Sequence, residues 1–203
     1  ALGADTLGSR SIAIGRSTLG TQNFTTATNT YNVAIGYNTG GAVTTGVNNT
    51  LIGGLAGDAL TDADHNVAVG TYALTNDTLG SRSTALGYGA LSTQNFTTAT
   101  DTYNTAVGYV AGSVITTGVF NTLIGGLAGE ALTDADHNTA VGEDALANDT
   151  LGSQSVAIGR TALFTQNFTT ATDTYNTAVG YQAGFSVTTG PQNTLIGNRA
   201  GYG

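Results

Sequence analysis

The sequence predicts an all-β fold, a parallel β-solenoid built from ~17-residue coils. Three observations predict it. First, a motif recurs eleven times: Asn or Ser, then Thr, Val or Ile, then Ala or Leu, then Ile, Val or Leu, then Gly. Its glycines are Gly15, Gly36, Gly53, Gly70, Gly87, Gly108, Gly125, Gly142, Gly159, Gly180 and Gly197, with successive intervals of 21, 17, 17, 17, 21, 17, 17, 17, 21 and 17. Second, a 72-residue period lies over the short one: Asp-Thr-Leu-Gly-Ser at 5–9 returns at 77–81 and 149–153. Third, a 17-residue unit is too short for a helix pair, which needs about 33 residues, and the Gly- and Thr-rich composition opposes helix formation. The chain therefore reads as a single repeat array over 1–203, with super-repeats 5–76, 77–148 and a partial 149–203.

Each motif position has a predicted job. The first position is Ser11, Asn32, Asn49, Asn66, Ser83, Asn104, Asn121, Asn138, Ser155, Asn176 and Asn193. Such a column forms a side-chain amide ladder or caps the turn that enters each strand. The next three residues alternate as a strand does, so Val33 and Ile35 point one way and Ala34 the other. Ala or Leu at the third position suits a narrow coil interior. The glycine allows a positive φ or a close backbone approach. Ala or Thr follows three residues later, then Leu or Gly.

The strand is apolar on both sides, as in strands buried on both faces. One 17-residue coil supplies an interior for only one of them. The other side calls for a second chain, and three solenoids around an axis give a closed symmetric solution. The expectation is a side-by-side homotrimer joined through the apolar strand faces.

Every fourth coil is four residues longer and carries Thr-Gln-Asn-Phe-Thr-Thr-Ala-Thr at 21–28, 93–100 and 165–172. The segment reads either as a surface ledge that binds a glycan or a solid surface, or as a longer outer turn packed by its own Phe24 and Tyr31.

Composition excludes several classes. Charged residues make up 9% of the chain, against roughly 25% in a typical soluble domain. The net charge is -8 and the pI about 4.2, so no basic footprint for nucleic acid exists. With no Cys there is neither a disulfide frame nor a thiolate metal site. No run of about 18 apolar residues offers a membrane span, and residues 1–5 do not read as a signal peptide. A hydrophobic fraction of 40% with one Pro argues against disorder.

Candidate chemistry is sparse. Asp62-Ala63-Asp64-His65 and its copy Asp134-Ala135-Asp136-His137 cluster carboxylates with an imidazole, and Asp58 and Glu130 lie near them in sequence. Asp62, Asp64, Asp134 and Asp136 are candidate cation ligands, although the Gly-rich nonapeptide of calcium-binding β-rolls is missing. The plainer reading is a solvated turn. The two histidines are copies of each other, and no serine sits in a Gly-x-Ser-x-Gly elbow. No catalytic residue and no cofactor is therefore assigned, and the chain is not read as an enzyme. Tyr37, Tyr88, Tyr109 and Tyr181 follow motif glycines. They either stack on sugar rings or pack as a column between coils. Arg16 and Arg160 share that position, which points it toward water. Sequons begin at Asn23, Asn76, Asn95, Asn148 and Asn167.

The run Asn-Thr-Ala-Val-Gly-Tyr-Gln-Ala-Gly at 176–184, with Ser-Val-Ala-Ile-Gly at 155–159, resembles the repeat of YadA-like head domains. Such heads belong to trimeric autotransporter adhesins and related phage tail-fibre proteins, and the resemblance covers essentially the whole chain. It implies a left-handed β-roll, trimerised side by side, acting as a rigid spacer or adhesive segment that meets a host glycan or protein receptor. It also implies an extracellular place, on a bacterial surface or a virion tail, with this chain as a fragment of a longer fibre. Two other readings stay open: a self-assembling extracellular filament subunit, and an ice-binding solenoid suggested by the abundant Thr.

Overall fold

A computed structural model describes residues 1–203, and it is all-β with no helix. The chain divides into two compact units, Ala1–Tyr103 and Asn104–Gly203. Each is a parallel β-solenoid.

In the first unit the strands Ile12–Ile14, Val33–Ile35, Thr50–Ile52, Val67–Val69 and Thr84–Leu86 pair in that order, all parallel. In the second, Thr105–Val107, Thr122–Ile124, Thr139–Val141, Val156–Ile158, Thr177–Val179 and Thr194–Ile196 do the same. Pairing sets Ala34 against Leu51 and Leu51 against Ala68, so like motif positions stack coil upon coil. The predicted coil and strand register are thus observed. Short second-side strands, absent from the sequence reading, appear only at the long coils: Gly8–Ser9 with Thr28–Asn29, Gly80–Ser81 with Thr100–Asp101, and Gly152–Ser153 with Thr172–Asp173.

Three residues suffice for a strand because the motif glycine then turns the chain. Gly125 has φ +139, and a Cβ built on it would lie 2.4 Å from the Gly142 carbonyl oxygen of the next coil. Both sequence-level reasons for glycine, positive φ and close approach, apply at once.

The core runs up the inside of the coils. Ala34, Leu51, Ala68 and Ala85 at the third motif position, with Ala56, Ala73 and Ala90 beyond the turn, are fully buried. Volume is balanced between columns. Leu51 is large where its neighbours are alanine, and it fills the space left by Gly40 and Gly57, whose added Cβ atoms would meet its methyls at 2.8 and 2.9 Å. Leu123 and Gly129 repeat the arrangement in the second unit at 2.8 Å. This explains the alternation of Leu and Gly four residues after the motif glycine.

Candidate functional site

The outward side of the strands carries no charged side chain in any coil. It is made of the second and fourth motif positions: Val33 with Ile35, Thr50 with Ile52 and Val67 with Val69 in the first unit, Thr122 with Ile124 and Thr139 with Val141 in the second. Ile14 is 58% exposed, Leu86 42% and Ile124 38%. Within each unit such exposed apolar side chains stand beside Thr with no charge among them, and large exposed apolar patches are unusual on a surface that meets only water. The hydroxyls of Thr50, Thr122, Thr139, Thr177 and Thr194 have no hydrogen-bond partner within the chain.

One flank of that surface is the residue before each motif. In the first unit it is Arg10, Tyr31, Asn48, His65, Arg82 and Tyr103, and in the second Phe120, His137, Gln154, Tyr175 and Gln192. Every one has φ between +51 and +66. An L-residue there costs about 1–2 kcal/mol, yet none is glycine and every side chain ends in a planar group. Several of these side chains stack on the neighbour one coil away. The Arg10 guanidinium lies 5.4 Å from the Tyr31 ring centre and Arg82 5.8 Å from Tyr103. Phe120 and His137 stack at 4.9 Å. Asp101 binds Arg82 at 2.9 Å, and that hydrogen bond raises the guanidinium pKa further.

The other flank holds the tyrosines that follow motif glycines. Tyr37, Tyr88, Tyr109 and Tyr181 are exposed. Arg16 lies 5.9 Å from the Tyr37 ring, Arg199 5.9 Å from Tyr181, and Tyr72 meets Tyr88 edge-on at 5.8 Å. Arg160 is exposed and donates to Glu143 at 2.9 Å, which raises its pKa.

Inside the coil the asparagine column forms the predicted ladder and also closes each turn. Asn121 Oδ1 accepts the Asn138 backbone N–H at 2.9 Å, and its Nδ2 donates to the Ala135 carbonyl at 2.7 Å. Asn49 does the same with Asn66 N–H and the Ala63 carbonyl. These amides are fully buried, and each joins its own coil to the next twice.

Serine replaces asparagine where the longer coil begins, and a different polar cluster takes over. Asp77 and Gln94, in adjacent coils, are both fully buried. Gln94 Nε2 donates to Asp77 Oδ2 at 2.5 Å and to Ser83 Oγ at 2.9 Å. Asp77 Oδ1 accepts the Gly80 and Phe96 N–H groups at 3.0 and 3.1 Å. Ser83 pairs with Thr102 at 2.5 Å. Asp149, Gln166, Ser155 and Thr174 repeat the set, and Asp5 bonds Gln22 likewise. The extra four residues are therefore anchored from within. Phe24, Phe96 and Phe168 are buried, as a packed outer turn requires, but Tyr31, Tyr103 and Tyr175 point outward into the planar flank. Residues 25–27, 97–99 and 169–171 remain exposed as a Thr-rich ledge.

The candidate cation turns are engaged in ordinary inter-coil bonding. Asp62 Oδ1 accepts from Thr45 Oγ1 at 2.6 Å, and Asp64 Oδ1 from the Val47 N–H at 2.7 Å. Asp134 and Asp136 bond Thr117 and Val119 in the same way. Asp58 is tied to Thr75 and Asn38. His65 lies 3.4 Å from Asn48, and His137 stacks on Phe120. No three acidic or imidazole groups converge, whereas calcium takes about six to eight oxygen ligands. The sequon asparagines are exposed, and several are used between coils: Asn76 and Asn148 donate to the Ser92 and Phe164 carbonyls, and Asn95 accepts from Thr78.

Neither unit carries a concave pocket. Comparison with protein-family models, curated proteins and solved structures returned no match.

Proposed function

We propose that the chain is a structural and adhesive segment of a trimeric extracellular fibre, a rigid spacer of the YadA-like head kind on a bacterial surface or a virion tail. One observation carries the reading: the outward strand side is uncharged in every coil, yet a third to a half or more of several of its large apolar side chains stands in water in the single chain. Covering such side chains is worth about 25 cal/mol per Å² of apolar surface, and two sister chains packed side by side would cover every coil equivalently. Receptor contact, to a glycan or a protein, falls to what the packed strands leave free, chiefly the exposed Thr-rich ledges of the long coils. Sedimentation velocity tests the assembly. The expected species is three chains, and a stable monomer at micromolar concentration overturns it.

A second reading has its own observation. In the second unit Thr122 and Thr139, and beyond Val156 Thr177 and Thr194, present hydroxyls free of partners on a charge-free side. A row of hydroxyls of that kind suits ordered water, as in an ice-binding solenoid, although Val156 interrupts it. Thermal hysteresis from a monomeric chain favours this reading, and its absence from a trimer favours the first.

A further inference from the structure

We infer that the buried Asp–Gln pair of each super-repeat is a register key, which prevents the near-identical coils from stacking with one coil skipped. Apart from Leu51, the strands themselves cannot supply this discrimination. Ala34, Ala68 and Ala85 are interchangeable, and the outward residues are all β-branched or Leu. A strand could pair with the next coil or the next but one and make nearly the same ladder.

The column seven residues after the motif glycine is different. In the first unit it reads Gln22, Val43, Leu60, Asp77 and Gln94, all fully buried. Asp77 Oδ2 is satisfied only with Gln94 directly on the next coil. Skip the Asp77 coil, and Leu60 lies against the Gln94 amide, which keeps Ser83 but loses its carboxylate acceptor. Skip the Gln94 coil, and the carboxylate is left buried without its amide. Leaving one buried polar partner uncompensated is far costlier than replacing both by apolar groups. Skipping the Leu51 coil also leaves Gly40 without the side chain that fills its space; between coils that carry alanine at the third position, the penalty on a slip comes from the polar pair, once in four coils. The same column in the second unit, Ile115, Leu132, Asp149, Gln166 and Val187, repeats the order, with Gln166 Nε2 on Asp149 Oδ2 at 2.5 Å. A slip by a whole 72-residue unit restores the same acid–amide pair, so the key reads coils within a super-repeat and not super-repeats against each other.

The test is a distance. Spin labels on cysteines at Ile14 and Leu86 sit four rungs apart, roughly 19 Å by strand spacing. The labelled full chain, refolded from denaturant, is expected to give one distance. In Asp77→Leu/Gln94→Leu, whose column then matches Val43 and Leu60, a second population shorter by about one rung, roughly 5 Å, is expected after refolding. A single unchanged distance in that variant overturns the inference. If the double variant does not fold, Asp77→Asn serves. It keeps an acceptor for the Gly80 and Phe96 N–H groups but weakens the bond to Gln94, and a minor shorter population is expected. An unchanged single distance there overturns the inference equally.

Discussion

The two sides of one strand follow different rules. Inward, the third motif position is Ala or Leu and nothing else, and each Leu is matched by glycines that leave it room. Outward, the second position drifts among Thr, Val and Ile between copies of the super-repeat: Val33 corresponds to Thr105 and Thr177, and Val67 to Thr139. The inner side is governed by volume, because a closed coil has a fixed interior. The outer side is governed by shape and absence of charge, since Thr and Val share a branched outline but not a polarity. A surface facing only bulk water would not need to exclude charge from every coil.

Mutations can break or sharpen that contrast. The largest loss is expected inward. Leu51→Ala or Leu123→Ala leaves a cavity between two glycines that cannot collapse around it, costing about 2–5 kcal/mol in denaturant unfolding. Next comes the amide ladder. Asn121→Ala strips the Asn138 N–H and the Ala135 carbonyl of their partners inside the coil, and a loss of about 2–3 kcal/mol is expected by the same measurement. Outward, Thr122→Val should change stability by less than about 0.5 kcal/mol, because its hydroxyl has no bond to lose; a loss comparable to Leu51→Ala would erase the distinction between the sides. Smallest of all, Arg160→Ala should leave the melting temperature where it was, since exposed ion pairs contribute little.

Much of the fold was legible because a repeat averages out local ambiguity. Eleven regularly spaced glycines define the coil, and Asn-Thr-Ala-Val-Gly has the alternation of a strand whatever surrounds it. The asparagine ladder was legible as a type of contact, but its second bond, to a carbonyl most of a coil further on, depends on how the coil closes. Gln22 and Asp77 were harder. Read along the chain, Gln22 belongs to an inserted loop and Asp77 to a turn. Only when coils are aligned does the column Val43, Leu60, Asp77, Gln94 show an acid beside an amide in the core. The planar flank was hidden for the same reason: Arg10, Tyr31, His65 and Phe120 share no class until their common left-handed backbone is seen. Asp62 and Asp64 are close in sequence, yet each carboxylate serves a different bond to the preceding coil, which only the stacked coils reveal.

The most direct measurement is the mass of the assembly in solution for the unaltered chain and for Ile52→Lys/Ile124→Lys, which places an ammonium on the outward side of each unit. The unaltered chain should sediment at three times its 20.3 kDa chain mass, and the variant as a monomer that keeps its β circular dichroism. A monomeric parent, or a variant that stays trimeric, contradicts the claim that sister chains cover these strands.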